Sequence, residues 1–387
     1  MTGPQASFER LIRNDLDATI SRIPIVIGGC GSGRTTLLAR VRDRVGHGTA
    51  QYIDVERCAT TPDRFLEAIT EASPFPWARS EASTSSPREA FDATLRFFDT
   101  ARAPGGAACT FLLDEFLELR TFESFPGLRH ALLALLDALS TSPNRFVLTS
   151  RYAARANRLL REATSRFEVM TMPELAVEGV SEVLAPRSQD YLHASADERD
   201  DTARTVLALT GGRAAYVQAL SEAMAQMGRM PDPVSALTAQ LSTGGALNLL
   251  CRFCYELRLH RARGYGALKA ILDILAAEQP LNLTQIAIRL RRTPGSTKDY
   301  LSWLEDVDLL ASERKKYSFT DPLLRLWVRL HCRPTPPSND TVAREVQRYA
   351  FARLAASVAA APAVPAGVSM GEVATDDRKN WGIIEID

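Results

Sequence analysis

At 387 residues the chain is long enough for two or three domains, and 45% hydrophobic with 24% charged residues excludes global disorder. Its 46 Lys and Arg balance 46 Asp and Glu, which excludes a globally basic nucleic-acid binder and leaves only local basic patches. The N-terminal MTGPQASFER lacks an apolar leader, and no run of about 18 apolar residues is available to cross a bilayer, so a cytoplasmic protein with reduced thiols and no membrane partner is expected.

Residues 23–29, IPIVIGG, predict a short buried strand ending in glycines. A Gly-rich turn follows, then TTLLARVRDRV with helical periodicity. Residues 51–56, QYIDVE, predict a second strand, and TPDRFLEAITEA a helix starting at Thr61 or Pro62. The Ser-, Pro- and Ala-rich stretch 73–88 reads as a loop, and PREAFDATLRFFDTARA as a helix stopped by the PGG at 104–106. Strands are then expected at 108–113 (ACTFLL), 145–149 (RFVLT) and 167–172 (FEVMTM), separated by the helical segments GLRHALLALLDALS and ARANRLLREA. This alternation predicts an α/β fold, a parallel sheet covered by helices.

After Pro173 the pattern changes. Residues 178–260 are helical throughout and suit a lid or linker. Residues 264–331 give three helical segments, a strand-like pair around SERKKYSFT and a further helix, the order of an α+β winged helix-turn-helix. Pro334, Pro336 and Pro337 open a tail with one helix near 341–358 and a loosely ordered end. The expected organisation is 1–175, a phosphate-binding α/β core; 176–260, a helical lid; 261–333, a winged helix; and 334–387, a C-terminal helix and tail.

The strand-turn-helix at 25–38, IVIGGCGSGRTTLL, matches G-x-x-x-x-G-K-[ST] except that Arg34 replaces Lys. Glycines let the backbone amides converge on a phosphate, and the following helix adds its positive end. Gly28, Gly31, Gly33, Arg34, Thr35 and Thr36 are the expected cradle, with Arg34 as the cation and the Thr35 hydroxyl as a Mg²⁺ ligand. Arg is longer and planar, so nucleotide binding survives the exchange more readily than fast hydrolysis. Asp114 and Glu115 end the third apolar run; Asp114 can hold Mg²⁺ and Glu115 can orient water. In FVLTSRY, Thr149 or Ser150 can sense a terminal phosphate and Arg151 adds charge. Each feature also has a plainer reading: a glycine turn without a ligand, solvated acids, a surface Arg. Cys251 and Cys254 have the spacing of one half of a zinc site, but no second pair follows, and one helix face packed in a core is the expected role. LSTGG at 241–245 follows the DE pair and carries no nucleotide signature, and no N-K-x-D motif for guanine is present.

Taken together, the glycine loop, the DE pair and the TSR after strand four resemble the AAA+/STAND class of P-loop ATPases, closest in organisation to archaeal-type ATPases and origin-recognition-like proteins, over residues 20–331. The resemblance implies ATP or ADP with Mg²⁺ as ligands, a helical lid, and a lid arginine, here Arg213 in TGGRAAYVQAL, reaching the γ-phosphate. Glu115, Arg151 and Arg213 are then the expected catalytic residues. Ala214 stands where STAND proteins often carry Pro. Residues 283–321 carry seven basic and six acidic residues, with Arg314, Lys315 and Lys316 clustered at the wing, so double-stranded DNA through 283–320 and protein partners or self-association both stay open. Three functions remain in play: an ATP-dependent switch acting through the winged helix, a DNA-binding regulator on a degenerate core, and an interaction scaffold without DNA contact.

Overall fold

Five short apolar runs pair in parallel in the computed structural model, which describes residues 4–18, 21–76, 86–162, 166–187, 191, 194–227, 232–260 and 264–360. They are β1 (Ile23–Ile27), β2 (Ala50–Asp54), β3 (Thr110–Asp114), β4 (Arg145–Ser150) and β5 (Phe167–Thr171), in the order β2-β3-β4-β1-β5. Every residue of β1 and β3 is buried, as expected where helices cover both faces. Period-2 alternation divides the core. Val26, Leu112 and Val147 face α1 (Pro4–Asp17) and α2 (Arg34–Val45). Ile25, Leu113 and Leu148 face a phenylalanine-rich layer from α4 (Pro62–Glu71), α5 (Pro87–Thr100) and α6 (Ala131–Thr141), in which Phe98 meets Phe111 edge-on at 5.0 Å.

Three local differences from the sequence expectation matter. The second strand stops at Asp54, whose carboxylate accepts from Arg57 N and caps a short helix, α3 (Val55–Cys58), so Glu56 leaves the strand for the sheet edge. The third strand starts two residues later than expected and ends one residue later, so that it includes Asp114. The start of GLRHALLALLDALS is not helical; α6 begins at Ala131, after a 3₁₀ segment over Phe116–Ser124. Thr61 and Ser86 cap α4 and α5, each followed by Pro, the arrangement TPDR and SPRE imply. Residues 77–85 of the expected 73–88 loop lie outside the described residues.

Besides α7 (Ala153–Leu159, before β5), the described residues after β5 form helices and no strand as far as residue 260: α8 (Val177–Leu184), α9 (Ala196–Thr210), α10 (Ala214–Gln226), α11 (Pro233–Leu241) and α12 (Ala246–Leu259). Cys251 and Cys254 are buried on α12, and no group of three or more metal-ligating side chains occurs among the described residues. The next unit comprises α13 (Tyr265–Ala277), β6 (Leu281–Asn282), α14 (Leu283–Leu290), α15 (Pro294–Asp306), β7 (Leu310–Glu313), β8 (Lys316–Phe319) and α16 (Pro322–His331). The two-residue β6 completes an antiparallel sheet of order β6-β8-β7 and is too short to be seen as a pattern. Glu313 pairs with Lys316 across a two-residue turn in which Arg314 and Lys315 take φ of 49° and 64°.

The last helix, α17 (Asn339–Ala360), crosses both parts: Tyr349 OH donates to Leu209 O of α9 at 2.7 Å, Arg353 Nε donates to Ala208 O at 2.9 Å, and Glu345 pairs with Arg329 of α16. The loosely ordered end expected after it falls on residues 361–387, outside the described residues. No helix among the described residues is long and apolar enough to cross a membrane.

Candidate functional site

The loop 28–33 joins β1 to α2 at the C-terminal edge of the parallel sheet. Gly31 and Gly33 have φ of 74° and 97°, a region where a side chain is strained, so both positions call for glycine. The loop delivers the unpaired first-turn amides of a twelve-residue helix to one point. Beside them the Ser32 hydroxyl is buried without a hydrogen-bond partner among the described residues.

Asp114, the last residue of β3, faces this helix start. Thr35 Oγ1 donates to Asp114 Oδ2 at 2.6 Å, Tyr52 OH donates to the same oxygen at 2.9 Å, and Thr149 Oγ1 donates to Oδ1. Burial and then Asp114 push the Tyr52 phenol well up, which keeps it a donor. The parallel register places Tyr52 in this cluster, because β2 lies directly beside β3. Its role is invisible in the sequence, where it is one of several aromatics.

Glu115 turns the chain out of β3 with φ of 59°, unusual for a non-glycine residue. Its carboxylate is enclosed by cations: Arg34 Nη2 lies 2.6 Å from Oε1, Arg151 Nε lies 3.1 Å from Oε1, and Arg151 N donates to Oε2 at 2.9 Å. Arg34 also donates to Gly28 O, and Arg151 pairs with Glu56. Burial opposes the charge on Arg151, but Glu115 and Glu56 outweigh it and hold the guanidinium charged. The expected free cation and free water-orienting acid thus engage each other: Arg34 is held by Gly28 O and Glu115, and Glu115 bridges two arginines. Ser150 Oγ accepts from Tyr152 N instead of facing the loop.

Arg213 does reach the loop. It precedes α10, donates through Nη1 to Cys30 O at 3.3 Å, and lies over Gly29; next to it Ala215 N donates to Gly31 O at 2.9 Å. The same Nη1 sits 2.7 Å from Asp321 Oδ2, which also accepts from Tyr216 OH at 2.7 Å. Asp321 Oδ1 meanwhile caps α16, accepting from Leu323 N and Leu324 N. Asp321 was legible as a cap, Asp before Pro before an apolar run, but its partner 108 residues away was not.

The donor set fits a nucleotide with Mg²⁺. A hydroxyl and a carboxylate at hydrogen-bonding distance are the hard oxygen pair that Mg²⁺ takes beside phosphate oxygens, and the buried Ser32 hydroxyl, without a partner among the described residues, stands beside the first turn of α2.

The whole architecture matches a solved structure, the Walker-type ATPase PABY2304 of Pyrococcus abyssi, at a TM-score of 0.62 and 15% identity, covering 84% of this chain and 95% of that one. The fold is that of a Walker-type ATPase. Drosophila ORC bound to DNA (TM-score 0.39, 11% identity, 81% of this chain and 90% of that one) and Thermotoga maritima RuvB (0.36, 12%, 81% and 92%) are more distant in shape. No protein-family model and no curated protein sequence matches the chain. Within the Walker-type fold, the loop after β1 and the acid pair after β3 occupy one edge of the sheet, with β4 between their strands.

Proposed function

We propose that this protein is an AAA+-like, ATP-binding switch whose phosphate loop controls a C-terminal winged helix. In this reading residues 1–175 are the core, 176–260 the lid, 261–333 the winged helix and 334–387 a helix and tail. Gly28, Gly31, Gly33, Thr35 and Thr36 hold the phosphates, and Thr35 and Asp114 hold Mg²⁺, which offsets phosphate charge when bound. Arg34 neutralises Glu115, so Glu115 orients water only after that pair opens, and turnover is slow. Arg151 supports the same carboxylate.

One observation carries the switch: Arg213, which touches the phosphate loop, is held by Asp321 at the head of α16. A terminal phosphate and Asp321 compete for one guanidinium, so a bound nucleotide loosens the contact that docks the winged helix. Such competition is the differential interaction between two states that a ligand-driven change requires. The second half of α15 is meanwhile turned toward the core, with Asp306 paired to Arg158 of α7 and Asp308 accepting from Ala154 N. Release frees α15 together with Arg291, Arg292, Lys298 and the Arg314–Lys316 tip for duplex DNA or a protein surface. The Arg34–Glu115 pair also favours a second reading, in which the core binds nucleotide without hydrolysing it.

Calorimetric titration with ATP and ADP under Mg²⁺, a turnover assay and a low-salt gel shift on duplex DNA test this reading. Wild type is expected to bind ATP with slow turnover, Arg34→Lys to turn over faster, Glu115→Gln to bind without turnover, and Arg213→Ala to uncouple the gel shift from ATP. Absence of nucleotide binding at saturating Mg²⁺ would sink it; a gel shift indifferent to ATP would leave a DNA binder on an inert core.

A further inference from the structure

A cavity of about 710 Å³ opens between the core and the C-terminal helices, lined by α7, the 3₁₀ segment at 116–124, the start of α6 and the ends of α12 and α15. None of the residues of the phosphate loop lines it. Its size suits a small molecule. Its lining combines apolar and aromatic surface, including Tyr152, Trp303, Leu132 and Leu257, with an excess of arginines.

Arg120 and Arg158 in that lining are paired with Glu123 and Asp306. Arg129, Arg155 and Arg258 form no ion pair among the described residues. Arg258 is only 3% exposed, and its Nε has no hydrogen-bond partner among the described residues. A guanidinium taken from water without a matched anion is costly, so it marks a place where an anion belongs. Burial weakens the charged state of Arg155 and Arg120 adds to it, while Tyr152, Asp306 and Glu118 oppose them without overcoming the burial; its guanidinium lies over the Tyr152 ring at 4.9 Å. Two lining acids, Glu56 and Glu123, are held by Arg151 and Arg120, and Glu118 also stands in the wall. Asp308 is near enough to act on Arg258 and supplies one counter-charge from outside the lining, against five arginines and three acids in the cavity wall.

We propose that this cavity binds a small phosphate monoester with an aromatic or apolar body, its phosphate among Arg129, Arg155 and Arg258 and its body between Tyr152 and Trp303. Planar guanidinium forks match phosphate oxygens, and aromatic faces receive the body. The ligand reports to the phosphate loop through a continuous ion-pair chain: Glu56 in the cavity wall, Arg151, Glu115, then Arg34. An anion beside Glu56 competes for Arg151 and resets the Glu115–Arg34 pair. This coupling rests on the nucleotide reading above; the binding itself does not.

The test uses the full chain, no nucleotide, and phenyl phosphate as probe, followed by calorimetry and tryptophan fluorescence. Saturable 1:1 binding is expected, with a fluorescence change that disappears in Trp303→Phe. Affinity should fall about tenfold or more in Arg155→Gln and in Arg129→Gln, and should persist in Arg34→Ala. Benzyl alcohol, which lacks the phosphate, should not bind, and inorganic phosphate should bind more weakly. No saturable binding up to about 10 mM, beyond the weakest specific affinities, overturns the proposal. So does affinity unchanged in both arginine variants, or lost in Arg34→Ala, which would put the anion in the phosphate loop. The coupling is read separately, as a shift of ATP affinity on adding phenyl phosphate that Glu56→Gln abolishes.

Discussion

The C-terminal edge of the parallel sheet buries Arg34, Asp114, Glu115 and Arg151, whereas between residues 265 and 331 the buried polar residues are Thr297 and Asp321. The second region is an ordinary apolar core of leucines and isoleucines around Trp327, and its one buried charge points out of it, to the Arg213 that touches the glycine loop at 28–33. Buried ion pairs stabilise little compared with apolar packing of the same volume. Their concentration at one sheet edge therefore speaks for chemistry there, and Asp321 is the hairpin unit's contribution to that edge. A set of variants can break or sharpen this contrast.

Asp321→Ala carries the largest expected effect. It strips Arg213 and Tyr216 of their acceptor and uncaps α16, so about 3–4 kcal/mol of stability should be lost in urea unfolding, against a typical ~1 kcal/mol for a cap alone. A loss no larger than a cap would make the Arg213 contact incidental. Asp308→Asn comes next. Asp308 titrates near 6 in the folded chain because it is buried, against about 3.9 in an unfolded one. Between those values the folded state keeps a proton that the unfolded chain has released, so stability falls as pH rises through roughly 4 to 6 and levels off above. Asn keeps the acceptor for Ala154 N and tolerates the residue's φ of 53°; it should add about 1–2 kcal/mol at pH 7 and flatten that slope in urea midpoints measured across the window. Replacing the turn pair, Arg314→Asn with Lys315→Gly, relieves two left-handed residues and should raise stability by about 1 kcal/mol while weakening any duplex DNA binding. Smallest is Arg158→Ala, an exposed pair with Asp306, expected to cost under about 1 kcal/mol by the same unfolding assay but to loosen α15 from α7, seen as faster amide exchange there.

The same contrast explains what the amino-acid order made legible. β1, β3 and β4 announce themselves because strands buried on both faces are continuous apolar runs, and the phosphate loop because its glycine spacing is dictated by backbone geometry. Asp114 and Thr35 could be paired in advance because both follow strands of one parallel sheet to the same edge, with one strand between them. Glu56 was lost to a strand that Asp54 terminates early, a choice made by one capping hydrogen bond. Arg34 and Glu115 were each identified but not as partners, since which counter-ion a buried cation takes depends on side-chain reach across the fold. Arg213 with Asp321 lies furthest from local pattern, as only the tertiary fold brings the start of α10 to the head of α16.

Helix α17 adds a mechanical consequence. By gripping α9 through Tyr349 and Arg353 and α16 through Glu345, it straps the helices after β5 and the hairpin unit into one lever. The short irregular stretch 172–176 leads from β5 into that strapped set, and Gly212 packs on Leu175 with no room for a side chain. The contact between Arg213 and Asp321 lies within the same set, since Asp321 heads the helix that Glu345 grips.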